Sequence, residues 1–207
     1  THSLMSSMPV SLLMKSDNYF YVGLETPAKV MLVSQPDWVT FSPTILSNFA
    51  TPSAPEFIRM GNAFIAIAGT YAKISVIDES LSSGSESTHT LASKMLTLGL
   101  SVDPPSHTVF ELARLSMGGS TLASYRYSGS LTLLMQIPGP LTVGSEPCAG
   151  LQVINNGNYL FLAASSFIQI YKTSDLSLIS IPSPLEILGT YVTNSLSTRA
   201  HVDTTTP

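Results

Sequence analysis

Charge and cysteine are both scarce in this chain. Charged residues make up 11% of its 207 residues, and there is a single cysteine, Cys148. An average globular protein carries about 25% charged residues. One cysteine excludes an intrachain disulfide and any metal cluster built from cysteines alone. A surface so poor in charge has little electrostatic protection against association, so we expect a protein partner or self-association.

Basic residues are few and scattered. The nine Lys and Arg residues lie singly along the chain, and the formal net charge is -4. Nucleic-acid binding needs clustered Lys and Arg to displace phosphate counterions. The distribution therefore argues against a nucleic-acid partner.

Long apolar runs are also missing. No stretch of about 18 consecutive apolar residues occurs, so we expect no membrane span and no membrane partner. The first nine residues lack a charged region followed by an apolar run, so no secretory signal is expected. The chain is then expected to be made in the cytoplasm, and to reach a virus particle under one specific hypothesis given below.

Motifs for catalysis and for cofactors are absent as well. No Gly-x-Ser-x-Gly nucleophile elbow occurs, and the turn at Ser120 lacks the closing glycine. No Gly-Lys-Ser or Gly-Lys-Thr follows a glycine-rich loop, so the common phosphate-binding loop is missing. We therefore expect that the protein is not an enzyme and that it has no catalytic residue and no cofactor.

Metal-binding patterns are equally weak. The four histidines are assigned to loops and termini, with none on a strand. Asp103, His107 and Glu111 are spaced so that they could approach one cation, but Pro104 and Pro105 break the helix that would align them. We expect ordinary loop residues here and no metal site.

Apolar residues reach 44% of the chain, and their arrangement repeats. Four segments share a small turn that leads into an apolar strand and, after a short gap, into a second strand that alternates apolar and polar residues. The pairs of turn and second strand are residues 17–20 with 29–33, 61–64 with 73–77, 119–122 with 130–134, and 157–160 with 167–171. The pattern predicts an all-β protein of about four repeated units.

Flanking strands are predicted to complete each unit as a four-stranded antiparallel sheet. In the last unit, residues 151–154 lead into Asn156-Gly157, a pair that readily takes the positive φ angles of a tight hairpin turn, and residues 175–181 alternate afterwards. Residues 38–43 are assigned to close the first unit and residues 96–100 to close the second. The Ser-rich residues 80–90 are predicted to form a flexible loop, and evidence for helix is thin.

The last unit contains the run Ile-Tyr-Lys-Thr-Ser-Asp-Leu-Ser-Leu-Ile, and Phe-Ser-Pro follows the first unit at residues 41–43. This pattern of turn, inner strand and second strand resembles WD40-like β-propeller repeats, although the Gly-His and Trp-Asp dipeptides of WD40 repeats are missing. The resemblance implies a small propeller of four blades or a partial propeller completed by a partner chain. A jelly roll or another β-sandwich is the alternative fold. We assign residues 1–192 to a single β domain and residues 193–207 to a polar tail.

Four residues are candidate partner contacts: Trp38, Tyr125, Arg126 and Tyr127. Trp, Tyr and Arg dominate the binding energy of protein interfaces. The alternative is that Trp38 packs beneath a loop while Tyr125 and Tyr127 line one face of a sheet.

Two functions are consistent with these observations. The favoured one is a non-enzymatic protein-interaction or structural assembly module. Its specific form is a capsid, decoration or tail protein of a virus or phage particle, by analogy with other β domains that are rich in Ser and Thr and poor in charge. The alternative is a ligand- or carbohydrate-binding domain, or a glycan-active enzyme, whose loops bring together acids such as Glu56, Asp103 or Glu111.

Overall fold

The computed structural model of the chain describes residues 8–37, 39, 43–69, 73–139, 150–163 and 168–179. Within these residues the chain forms β-strands joined by turns, with one short 3-10 helix at Ser83–Ser85. The prediction of an all-β protein with little helix is confirmed. No helix in these ranges is long and apolar enough to cross a membrane.

The strands form four antiparallel sheets that follow one another along the chain. The first sheet contains β1 (Pro9–Ser16), β2 (Tyr19–Leu24), β3 (Lys29–Ser34) and β4 (Thr44–Ala50). The second contains β5 (Phe57–Met60), β6 (Phe64–Ala68), β7 (Lys73–Asp78) and β8 (Ser87–Thr90). The third contains β9 (Lys94–Asp103), β10 (Thr108–Leu115), β11 (Ser120–Tyr127) and β12 (Leu131–Pro138). The fourth contains β13 (Gly150–Ile154), β14 (Tyr159–Ala163) and β15 (Ile168–Lys172).

The sheets are arranged as the blades of a propeller. The first strands of successive sheets contact one another, since β1 lies against β5, β5 against β9 and β9 against β13. An apolar core fills each space between neighbouring sheets, and Tyr21, Phe64 and Phe110 are among its fully buried members. Blades that meet near a common axis and pack face to face define a propeller. The propeller-like fold predicted from the repeats is therefore confirmed, and the sandwich alternative is not.

Polar groups also join neighbouring sheets. The Tyr21 hydroxyl, in the first sheet, donates a hydrogen bond to the carbonyl oxygen of Glu79 beyond the end of β7, at 2.8 Å. The backbone N–H of Val153, in the fourth sheet, donates to Ser101 Oγ in the third sheet at 2.9 Å. Because buried polar groups need such partners, these bonds favour one relative position of each pair of sheets.

The predicted closing strands are partly wrong. The second sheet is closed by β8 rather than by residues 96–100, which belong to β9. The first sheet is closed by β4, and most of residues 38–43 lie outside the described residues. The two strands predicted in each unit do not always have the same position in the sheet. In the third unit they are β11 and β12, the third and fourth strands, whereas in the other units they are the second and third strands. The cause is that a hairpin followed by alternation has the same pattern at every position within a sheet.

The Ser-rich loop is shorter than predicted, because it ends in β8. Asp78 orders the start of this connection by accepting hydrogen bonds from the backbone N–H groups of Ser80 and Ser82. His89 lies on β8, so the prediction that no histidine occupies a strand is wrong. The predicted tail, residues 193–207, lies outside the described residues.

Candidate functional site

The predicted partner contacts do not form one surface. Tyr125 is completely buried, and Tyr127 is half-buried with its ring 4.9 Å from the ring of Phe64. Arg126, between them on β11, points to the opposite side of the sheet and is exposed. Burial removes Tyr125 from any contact with a partner, whereas a contact through Arg126 stays a prediction. Trp38 lies outside the described residues.

Glu111, one of the acids considered for glycan chemistry, instead forms a buried ion pair with Lys94. Lys94 Nζ lies 2.6 Å from Glu111 Oε1, and both side chains are fully inaccessible to solvent. Thr97 Oγ1 donates to the same oxygen at 2.6 Å, and the Tyr125 hydroxyl donates to Oε2 at 3.0 Å. The carboxylate is thus fully satisfied by protein groups, as a buried charge requires.

This polar cluster lies inside the core between the second and third sheets, beside His89. The rings of His89 and Tyr125 are 5.2 Å apart, and His89 Nδ1 is buried without a hydrogen-bond partner. Burial, reinforced by the charge of Glu111, raises the pKa of the Tyr125 hydroxyl. Because Glu111 is inaccessible to solvent and bonded to protein groups, this carboxylate is not placed to meet a substrate. The sequence showed Glu111 and Tyr125 as candidates but gave no sign that Lys94 would join them.

The other two acids considered for glycan chemistry differ in their exposure to solvent. Asp103 is buried at the end of β9 and accepts a hydrogen bond from Ser106 Oγ, while Glu56 is exposed before β5. Within the described ranges, no three His, Cys, Asp or Glu side chains are placed to hold a metal ion. A site that uses these acids for glycan chemistry stays a prediction.

The fourth sheet has two faces of different character. The inner face packs against the third sheet through Leu151, Leu160, Leu162 and Tyr171, all of which are buried. The other face is also apolar, but its residues are half-buried. We call it the outward face of the fourth sheet, and it consists of Gln152, Ile154, Tyr159, Phe161, Ile168 and Ile170. In the part of the chain that the structure describes, none of these six belongs to the cores between the sheets.

The register of the strands places Phe161 at the centre of this face. Phe161, on the middle strand β14, is directly opposite Gln152 on β13 and Ile170 on β15. None of these six residues is charged, but the exposed Lys172, opposite Tyr159 at the end of the ladder, lies on the same side of the sheet. This face was not predicted from the sequence, because the alternation of residues along one strand does not show which of two apolar faces a neighbouring sheet will cover.

The corresponding side of the first sheet is different. Leu24, Met31 and Val33 are 4%, 2% and 1% exposed there, and they form a small apolar cluster whose members all belong to the first sheet. Exposed apolar residues on this side include Met14, 46% exposed, on β1. The two ends of the row of four sheets therefore present different surfaces.

No protein family matches the chain, and no curated protein matches it. Among solved structures, it is similar to a chain of the mitotic checkpoint complex, with a TM-score of 0.60 and 17% identity over 81% of this chain and 49% of that chain. It is also similar to a putative 6-phosphogluconolactonase from Bacteroides fragilis NCTC 9343, with a TM-score of 0.64 and 13% identity over 85% of this chain and 54% of that chain. These likenesses show the fold alone. The chain spans about half the length of the solved structures it matches.

The expectation that the protein is not an enzyme is contradicted by the second likeness. A protein with the same fold is described as a putative 6-phosphogluconolactonase, although only 13% of the aligned residues are identical. The lack of a catalytic motif in the sequence therefore does not separate this chain from enzymes. Catalytic residues on a propeller can come from distant segments, which a search for short motifs does not detect.

Proposed function

We propose that this chain is a protein-interaction module built on WD40-like propeller blades, and that the outward face of the fourth sheet is its binding surface. The observation that carries the proposal is the half-buried apolar character of that face. Inside the row of sheets, equivalent faces are covered by the next blade and their residues are fully buried. Apolar surface gains free energy when it is removed from water, by about 25 cal/mol per Å².

The composition of the face suits a protein partner. The centres of protein interfaces are depleted of charged residues and enriched in aromatic ones. Tyr159 and Phe161 supply two aromatic rings on β14, and Ile170 lies beside Phe161 on β15. Large side chains at the centre of a contact commonly provide most of its binding energy.

The likeness to a chain of the mitotic checkpoint complex supports the proposal, because that protein belongs to a multi-protein assembly. The hypothesis of a component of a virus or phage particle is a narrower form of the same function, and it stays a prediction. The low charge of the chain, 11% of residues, is compatible with association in either case.

Site-specific crosslinking tests this function. A photoreactive phenylalanine analogue replaces Phe161 in the cells that make the protein, and crosslinked products are identified by mass spectrometry. The control carries the analogue at Leu134, a 51% exposed apolar residue on β12 of the third sheet. We expect a specific crosslinked protein from position 161 and none from position 134. Equal labelling at both positions, or no product at 161, would contradict the proposal.

Enzymatic activity is the second candidate function, and the likeness to the putative 6-phosphogluconolactonase is the observation that favours it. The purified chain should then hydrolyse 6-phosphogluconolactone faster than buffer does. A rate equal to that of buffer removes this candidate.

A further inference from the structure

The hairpin turn between β13 and β14 places an asparagine directly before a glycine, and this is the one Asn-Gly sequence in the chain. Asn156 is exposed, and Asn156 and Gly157 have positive φ angles of +53° and +86°. Within the described residues, neither the Asn156 side chain nor the Gly157 N–H has a hydrogen-bond partner. Both groups are therefore available for reaction with each other.

We propose that Asn156 deamidates spontaneously, through a cyclic imide formed with the backbone nitrogen of Gly157. That nitrogen attacks Cγ of Asn156, a new C–N bond forms, and the side-chain amide leaves as ammonia with the proton of the Gly157 N–H. Water then adds to one of the two carbonyl carbons of the ring and opens it to aspartate or to isoaspartate. Water is the only co-reactant. Glycine favours the attack because it has no Cβ to hinder the approach of its nitrogen.

A similar turn in the second sheet provides an internal control. Asn62 is exposed in the hairpin between β5 and β6, as Asn156 is in the hairpin between β13 and β14. The residue after Asn62 is Ala63, whose φ is +63°. Because the Ala63 side chain crowds the attacking nitrogen, we expect Asn62 to react several-fold more slowly than Asn156.

The reaction should weaken the contact between the third and fourth sheets. Gly157 lies against Asp103, which is 8% exposed at the end of β9, and a Cβ added to Gly157 would lie 2.8 Å from Asp103 Oδ2. Deamidation places a second carboxylate next to Gly157, and like charges in partly buried surroundings repel each other. Isoaspartate also lengthens the main chain by one carbon within the turn that pairs Ile154 with Tyr159. The modification therefore acts at the edge of the outward face of the fourth sheet, whether or not that face binds a partner.

The experiment incubates the folded full chain at mildly alkaline pH in heavy-oxygen water and maps its peptides by mass spectrometry. We expect heavy oxygen to enter position 156 and several-fold less to enter position 62. Ala63→Gly creates a second Asn-Gly sequence at a positive φ that glycine adopts readily, so Asn62 should then convert as fast as Asn156. Asn156→Gln should block the reaction at position 156, because the longer side chain closes the larger ring slowly.

Thermal unfolding of the same samples measures the consequence. The unaltered chain should unfold at a lower temperature after incubation than before it, and Asn156→Gln should unfold at the same temperature before and after. Equal conversion of Asn156 and Asn62 overturns the proposal. Conversion of Asn156 that is much slower in the folded chain than in urea also overturns it, because the fold would then protect the turn. Full conversion with an unchanged unfolding temperature overturns the weakening of the contact.

Discussion

Lys94 and Glu111 form an ion pair in which neither side chain reaches solvent, with Nζ 2.6 Å from Oε1 in the space between the second and third sheets. Thr97 and Tyr125 complete the hydrogen bonding of the carboxylate. Such a pair contributes little net stability as a whole, because two charges must leave water. Replacing only one of the two residues lowers the stability of the fold strongly, because the other charge then stays buried without its partner.

The single variant Glu111→Leu should therefore lower the free energy of unfolding by about 3–5 kcal/mol, because Lys94 remains buried and unpaired. The double variant Lys94→Met with Glu111→Leu should be considerably more stable than the single one. Urea unfolding followed by circular dichroism gives both values. Equal losses in the single and double variants would show that the pair itself does not matter.

Tyr125→Phe tests the hydroxyl that donates to Glu111 Oε2 at 3.0 Å. We expect a loss of about 1.5–3 kcal/mol, the usual range for a hydrogen bond to a charged group. Burial first, and then the charge of Glu111, raise the pKa of Tyr125 above its ordinary 10.0. Folding thus favours the neutral phenol, so this contribution is complete below pH 10 and is lost as the pH rises further. The Phe variant should lose less stability than the unaltered chain under alkaline conditions.

Asp78→Asn tests the turn that follows β7. Partial burial alone would raise the pKa of Asp78, but hydrogen bonds from Ser80, Ser85 and Ser82 lower it from 3.8 to about 2. A lowered pKa means that the charged form stabilises the fold above pH 3.8 and that this stabilisation disappears as the pH falls towards 2. The difference in unfolding free energy between the two proteins should shrink over that interval. A difference that does not change with pH would contradict the assignment.

Gly157→Ala tests the contact between the fourth sheet and the end of β9. Gly157 has a φ of +86°, and an added Cβ would lie 2.8 Å from Asp103 Oδ2. Gly129→Ala is the matched control, because Gly129 has a φ of +82° but open space around the Cβ position. The control should lose about 1–2 kcal/mol from backbone strain alone, and Gly157→Ala should lose more. Thermal unfolding compares the two, and equal losses would exclude the contact.

The class of fold could be predicted from the sequence because the residue pattern of a strand is local. The repeated turns and the alternation in segments such as residues 29–33 and 73–77 depend only on local chain direction, and β3 and β7 occupy these positions. The turn at Asn156 and Gly157 was equally local, and both residues have positive φ angles. These patterns do not give the position of each strand within its sheet, because that position depends on pairing between distant segments.

The surroundings of the candidate site residues could not be predicted from such local patterns. Tyr125 and Glu111 lie on one side of neighbouring strands and point into the core, where Lys94 from a third strand meets them. Nothing in the sequence around Lys94 distinguishes it from a lysine on the surface. The outward face of the fourth sheet was overlooked for a related reason, because its apolar residues have the same spacing as those of a covered face.

The central claim is that the outward face of the fourth sheet binds a protein. Methyl NMR of isoleucine-labelled chain, with a water-soluble gadolinium chelate, measures this residue by residue once the protein crosslinked through position 161 has been identified and added. We predict that the methyl signals of Ile154 and Ile168 are broadened in the free chain and protected when the partner is bound, while Ile45, which is 47% exposed on β4, is broadened in both states. Equal broadening of Ile154 and Ile168 with and without the partner would contradict the account.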